Sequence, residues 1–207
     1  MEPVVNEKPS FKQRQFEARE DAILDAAHEL LANRGYDQTT VDEVAAAVGI
    51  AKASLYKHFA SKEALATATM RRMLGRVLAY IDTLSPELGP DESLRAVLEW
   101  ALRLRLAGGL PTLPSSNSAL VDALTKDDAY VALVVQLSSR LGFWIQFAKA
   151  TGKLRTDLPD EAILLSFYAR TCDPTIDFLK RGGALDDETI VQTMLTLFFD
   201  GVRTPRM

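Results

Sequence analysis

Lys52, Ser54, Tyr56, Lys57 and His58 place two ammonium groups, two hydroxyls and an imidazole within seven residues. Such groups donate hydrogen bonds to phosphate oxygens and base edges. From Val44 to Lys62 there is no acidic residue, although the chain has a net charge of −4, so a polyanion could approach this stretch without repulsion. Other chemistry is sparse. No nucleophile with its base, paired acid and base or phosphate loop is evident, so neither catalytic residues nor a cofactor are expected. Cys172 is the single cysteine, which excludes an intrachain disulfide. With His28 and His58 the only histidines, no cluster has metal-ligand spacing. His28 lies just outside an apolar stripe and reads as a structural or surface residue.

The elements that must hold this polar group follow from its flanks. Thr40 and Glu43 form a capping box that starts a helix at Val41. Val41, Val44, Ala45 and Val48 give that helix a buried face, and Gly49 ends it. A second helix, about 52–59, buries Leu55 and Phe59 and turns Lys52, Ser54, Lys57 and His58 outward, with the Tyr56 hydroxyl beside them. A preceding helix, about 17–33, carries Ile23, Ala27, Leu30 and Leu31 and stops near Gly35. The pattern fits a helix-turn-helix that enters a major groove, and equally an αα-hairpin with a solvated face.

Residues 19–68 resemble the DNA-binding domain of the TetR (tetracycline-repressor) family of bacterial transcriptional regulators. The matching elements are Ile23-Leu24-Asp25-Ala26-Ala27 with Leu30-Leu31, Arg34-Gly35-Tyr36, Thr39-Thr40-Val41, Ile50, Leu55-Tyr56-Lys57-His58-Phe59 and Lys62-Glu63-Ala64-Leu65. The resemblance implies DNA contacts from the set Thr40, Lys52, Ala53, Ser54, Tyr56, Lys57, His58 and Lys62. Lys52 would meet base edges, Ala53 a thymine methyl, and Tyr56, His58 and Lys62 phosphates. Ala51 stands where the family often has a polar cap. The resemblance also implies a small-molecule cavity among the middle helices and a homodimer in which the last two helices pair with their symmetry mates.

At 207 residues, 47% apolar and 25% charged, the chain has ordinary globular composition. The fold expected is all-α with about nine helices. Residues 17–68 form the helix-turn-helix head (helix-turn-helix at 40–59), 69–207 a ligand-binding and dimerising body, and 1–16 a flexible arm that carries Lys8, Lys12 and Arg14. No run reaches the length of a membrane-spanning helix and the first residues are charged, so a cytoplasmic protein without a membrane partner is expected. Ser61 caps a long fourth helix through Met70, Met73, Leu74, Val77 and Ile81, which leaves the head as a lever. Residues 110–117 read as a loop. The final helices, about 160–181 and 187–202, include one so apolar around its circumference that a partner chain is expected to cover it.

Trp100, Leu104, Phe143, Trp144, Phe147 and Phe167 are candidates for an apolar or aromatic ligand, though aromatic residues at helical spacing are more often plain core. Pro174 should kink the eighth helix near Arg170. Arg170 continues an inward stripe, so it should meet a carboxylate: Asp173, or one carried by a ligand. The function implied is a repressor released from a palindromic double-stranded DNA operator by a small effector that tilts the lever. A constitutive DNA-binding or scaffold protein, an activator and an all-α enzyme are the alternatives.

Overall fold

A computed structural model describes residues 10–111 and 117–204. Among the described residues the regular structure is helical, apart from one isolated antiparallel bridge between Leu154 and Arg203. The helices are α1 (Phe11–Gln38), α2 (Val41–Val48), α3 (Lys52–Leu55), α4 (Lys62–Thr83), α5 (Pro90–Leu106), α6 (Ser118–Lys126), α7 (Asp128–Ala150), α8 (Asp160–Thr171), α9 (Pro174–Gly182) and α10 (Asp187–Val202). Counting α8 and α9 as the one helix that Pro174 interrupts gives the nine expected.

Two apolar clusters divide the fold. The first gathers Ile23, Ala27, Val44 and Leu55 from α1 to α3 and Phe59 just beyond α3 with Leu65 and Ala68 of α4. The second runs from Leu78 and Leu98 through Leu141 and Phe167 to Phe199. α4 contributes to both, and Leu31, Tyr36, Ala66 and Leu120 make a smaller cluster between them. A single helix therefore runs from the head core into the body core.

Several expectations need correction. Helix α1 starts at Phe11, not near Glu17, because Ser10 caps it: the Gln13 amide donates to Ser10 Oγ at 3.2 Å, and Gln13 pairs with Glu17 one turn on. Residues 11–16 are thus helix rather than arm, while 1–9 lie outside the described residues, as do 112–116 of the expected loop. Gly35 does break α1, with φ of 76°. Pro174 separates α8 from α9 instead of kinking one helix, because Asp173 caps the second piece through the Thr175 amide at 2.9 Å.

Helix α7, against expectation, is long and apolar enough to cross a membrane by length and composition, with a mean hydropathy of 1.3 over its 18-residue apolar window. The reason is apolar side chains on two faces. Leu137, Leu141 and Ile145 point into the body core, and Val135, Phe143 and Phe147 point outward. The terminal helix also departs from expectation. Ile190, Val191, Met194, Leu195, Phe198, Phe199 and Val202 are all buried by the chain's own body, and only Leu197 of that group stands exposed.

Candidate nucleic-acid interface and body cavity

Helix α2, which leads into the turn before α3, is fixed at both ends. The Thr40 amide donates to Glu43 Oε2 at 2.9 Å and the Glu43 amide donates to Thr40 Oγ at 3.2 Å, which is the capping box read from the sequence. Arg34 of α1 donates to the other oxygen of the same carboxylate at 2.8 Å. The bonds from Thr40, and then Arg34, hold the Glu43 carboxyl below its ordinary pKa. Gly49 ends α2 with φ of 73°, a conformation open to a residue without a Cβ, and the Ile50 amide returns to the Ala45 carbonyl at 3.0 Å.

Helix α3 is shorter than expected, and Ala51 gives it no side-chain cap. Helical hydrogen bonding nevertheless continues, from the Tyr56 amide to Lys52 and from the Phe59 amide to Leu55. Leu55 and Phe59 are buried, whereas Lys52, Ala53, Tyr56 and Lys57 are exposed and Ser54 is half-buried. The Lys52 ammonium lies 2.7 Å from Asp42 of α2, and that hydrogen bond raises its pKa. A base edge must therefore compete with Asp42. Lys62, at the start of α4, sits 4.1 Å above the Tyr36 ring. Tyr36 is buried and donates to Glu63 at 2.8 Å, which ties the end of α1 to the start of α4.

His58 does not face outward. Its side chain is only 4% exposed, stacks on Phe16 at 4.1 Å, and brings Nδ1 to 3.6 Å from Glu20 without a hydrogen bond. The missed start of α1 is the reason, since it supplies both Phe16 and Glu20. A phosphate contact from His58 is therefore withdrawn; the other seven residues of the predicted DNA-binding set remain together on the head.

The body holds a partly open cavity of ≈ 290 Å³. Its walls are Met70, Met73, Leu74 and Val77 of α4, Val97, Trp100 and Ala101 of α5, Tyr130, Val134, Leu137 and Leu141 of α7, and Phe167, Tyr168, Thr171 and Cys172 at the end of α8, with Leu110 and Pro111. No side chain in that lining is charged. The hydroxyls of Tyr130, Tyr168 and Thr171, the Cys172 thiol and the Trp100 indole N–H are its polar side-chain groups. The Tyr168 hydroxyl is 2.9 Å from Ser138, and burial pushes the phenols of Tyr130 and Tyr168 up.

Of the predicted ligand residues, Trp100 and Phe167 line this cavity. Leu104, Phe143, Trp144, Phe147, Arg170 and Asp173 do not. Phe143 and Phe147 stack on each other on the outer face of α7, and Leu104 packs against Gly109. Arg170 pairs with Asp173 at 2.7 Å, within the protein, and this internal pair answers its need for a carboxylate. The α4 wall went unassigned, although Met70, Met73, Leu74 and Val77 form a visible stripe. Nothing in that stripe distinguishes packing against protein from packing against space.

A family model described as bacterial regulatory proteins, tetR family, matches residues 23–69. The chain is 25% identical over 197 residues to the HTH-type transcriptional repressor KstR2 of Rhodococcus jostii strain RHA1, covering 90% of this chain and 92% of that one. It is 27% identical over 209 residues to the HTH-type transcriptional regulator RutR of Escherichia coli strain K12, covering 93% and 94%. Among solved structures, AibR in complex with isovaleryl coenzyme A and operator DNA is similar at 25% identity and a TM-score of 0.62, covering 87% of this chain and 98% of that one.

Proposed function

From the premise that the chain belongs to the TetR family of bacterial DNA-binding transcriptional regulators, we propose that it is a cytoplasmic, homodimeric repressor that a small, mainly apolar effector releases from a palindromic operator. Residues 17–68 read the DNA and 69–207 bind the effector and dimerise. The observation that carries this reading is the apolar cavity, one wall of which is α4, the helix that begins at Lys62 in the head. An occupant pressing on Met70, Leu74 and Val77 moves the helix that carries the head. Binding that favours one head spacing over another shifts the population away from the DNA-bound form. A constitutive DNA-binding protein has no use for such a space.

In the dimer the two α3 helices would enter successive major grooves about 34 Å apart. Lys52 is assigned to base edges, with Ala53 and Ser54 beside it, and Tyr56, Lys57 and Lys62 to phosphates. Exposed Leu165 of α8 and Leu197 of α10 support dimerisation through those helices, and Phe143 and Phe147 extend the apolar face onto α7. The isovaleryl coenzyme A in AibR supports an acyl group as the class of occupant.

The test is binding of the full chain to DNA from its own upstream region against random competitor, at fixed near-physiological salt. A preference of about a thousandfold or more is expected. A compound that fills the cavity should then dissociate the complex. Equal affinity for both DNAs, collapsing together with salt, would overturn the specific-repressor reading.

A further inference from the structure

A second cleft, of ≈ 630 Å³, adjoins the first. It is lined by Arg34 at the end of α1 and by Arg105, Leu110, Asp177, Lys180 and Arg181 of the body, among others. Leu110 belongs to both linings. The cavity lining holds no charge, whereas this one sets four cations against one carboxylate. Arg34 and Lys180 pair with Glu43 and Asp187, which lie outside the lining. Arg181 rests 5.0 Å from the Phe178 ring centroid and donates to the Asp177 carbonyl at 3.2 Å.

Arg105 stands on the wall between the two spaces. Its side chain is 7% exposed; Nη1 donates to the carbonyl of the cavity residue Thr171 at 3.0 Å and Nη2 to Asp177 at 2.7 Å. Its buried Nε has no hydrogen-bond partner among the described residues. Nε and Nη2 form one edge of the guanidinium, and Asp177 uses half of it. Two oxygens of one phosphate fill such an edge, which a single carboxylate oxygen cannot do.

We propose that the cleft is an anion site that takes the phosphorylated end of an amphiphilic effector whose apolar end occupies the cavity. The assignment rests on the effector reading above and specifies its chemistry: a neutral apolar group joined to a phosphate-bearing carrier. An anion here spans head and body, because Arg34 comes from α1 and the other cations from α5 and α9. By competing with Glu43 for Arg34 it also reaches the cap of α2.

The test is calorimetric titration of the full chain with hexanoyl-coenzyme A, with the hexanoyl thioester of N-acetylcysteamine, which lacks phosphate, and with coenzyme A alone. The coenzyme A thioester should bind at least about tenfold more tightly than the neutral one. The exposed double variant Lys180→Gln/Arg181→Gln should erase most of that gap and leave the neutral thioester unchanged. Arg105→Lys, which keeps the charge and loses the two-donor edge, should narrow it as well. Equal affinity of wild type for both thioesters, or a gap that the double variant leaves intact, overturns the proposal. So does a double variant that loses operator affinity while its thioester affinities stay put, since the cleft would then serve DNA phosphates. Binding of coenzyme A alone, abolished by the double variant, with the neutral thioester not binding, would uphold the anion site and sink the apolar-effector reading. Binding of the neutral thioester, with coenzyme A adding nothing, would do the reverse.

Discussion

Lys52 and Lys62 carry the same charge on the same head, yet their surroundings differ. Lys52 is held by Asp42 at the start of α3, where a major groove would meet it, whereas Lys62 lies over Tyr36 at the start of α4. Lys52→Ala should relax sequence preference, lowering operator affinity on the order of tenfold while random DNA is affected less. Lys62→Ala should weaken both DNAs alike and flatten the salt dependence by about one phosphate contact. Equal losses for both variants in a competition titration would abolish the distinction. His28 offers a test of the joint between head and body. Its Nε2 lies 2.9 Å from the carbonyl of Gly109, next to the cavity residues Leu110 and Pro111. Burial, followed by repulsion from Arg76 and Arg72, outweighs that hydrogen bond and holds its pKa below 6.5. The folded chain therefore takes up the proton later than the unfolded chain as pH falls. Stability from this group is complete above pH 6.5 and drains away below it. Denaturant unfolding of His28→Gln should show a shallower loss between neutral and mildly acidic pH than the wild type; parallel profiles would clear His28 of the effect.

At the scale of helices, what could be read in the chain depended on whether the signal was local. The capping box of α2, the stop at Gly49 and the Ser61 cap of α4 each involve residues within one turn of each other, and all three stand as read. The start of α1 was missed because only Phe11 and Phe16 are apolar in residues 11–17 after Ser10, five apart and so no helical stripe, and that error hid the burial of His58 under Phe16. The cavity was half legible: aromatic residues name themselves, but whether Trp100 faces a space and Phe147 the solvent depends on how three helices are rotated against one another. Helix α4, which joins head to cavity, carries one residue out of keeping with a rigid lever. Gly75 lies in its interior, and a Cβ built there would meet nothing within 4 Å. Gly75→Ala should therefore stabilise the protein by about 0.5–1 kcal/mol, because the helix interior no longer has to restrain a glycine. A lower melting temperature for this variant would mean that α4 departs from simple helix energetics at that point.

For the whole molecule the decisive question is how a chain of net charge −4 holds operator DNA at all. One head offers a small basic surface, and the acidic remainder repels the duplex, so a single copy should bind weakly. Two heads on one rigid body make the second contact intramolecular, which multiplies affinity without any new chemistry. The surface that joins them cannot be the bulk of α10, which the chain already covers. The surface proposed to join them is the residue set left outside: Leu165 at 58% exposure, Leu197 at 60% and Phe143 at 65%, on α8, α10 and α7 of the body. Because the Leu165 and Leu197 side chains are mostly exposed and lie outside the buried core, replacing them should spare the monomer's core. Leu165→Asp/Leu197→Asp should thus elute as a folded monomer in light scattering, with an unchanged helical spectrum and roughly a hundredfold weaker operator binding. A variant that remains a dimer would move the interface elsewhere. One that becomes a monomer yet holds the operator undiminished would show that a single head suffices and that the palindrome is not what the protein reads.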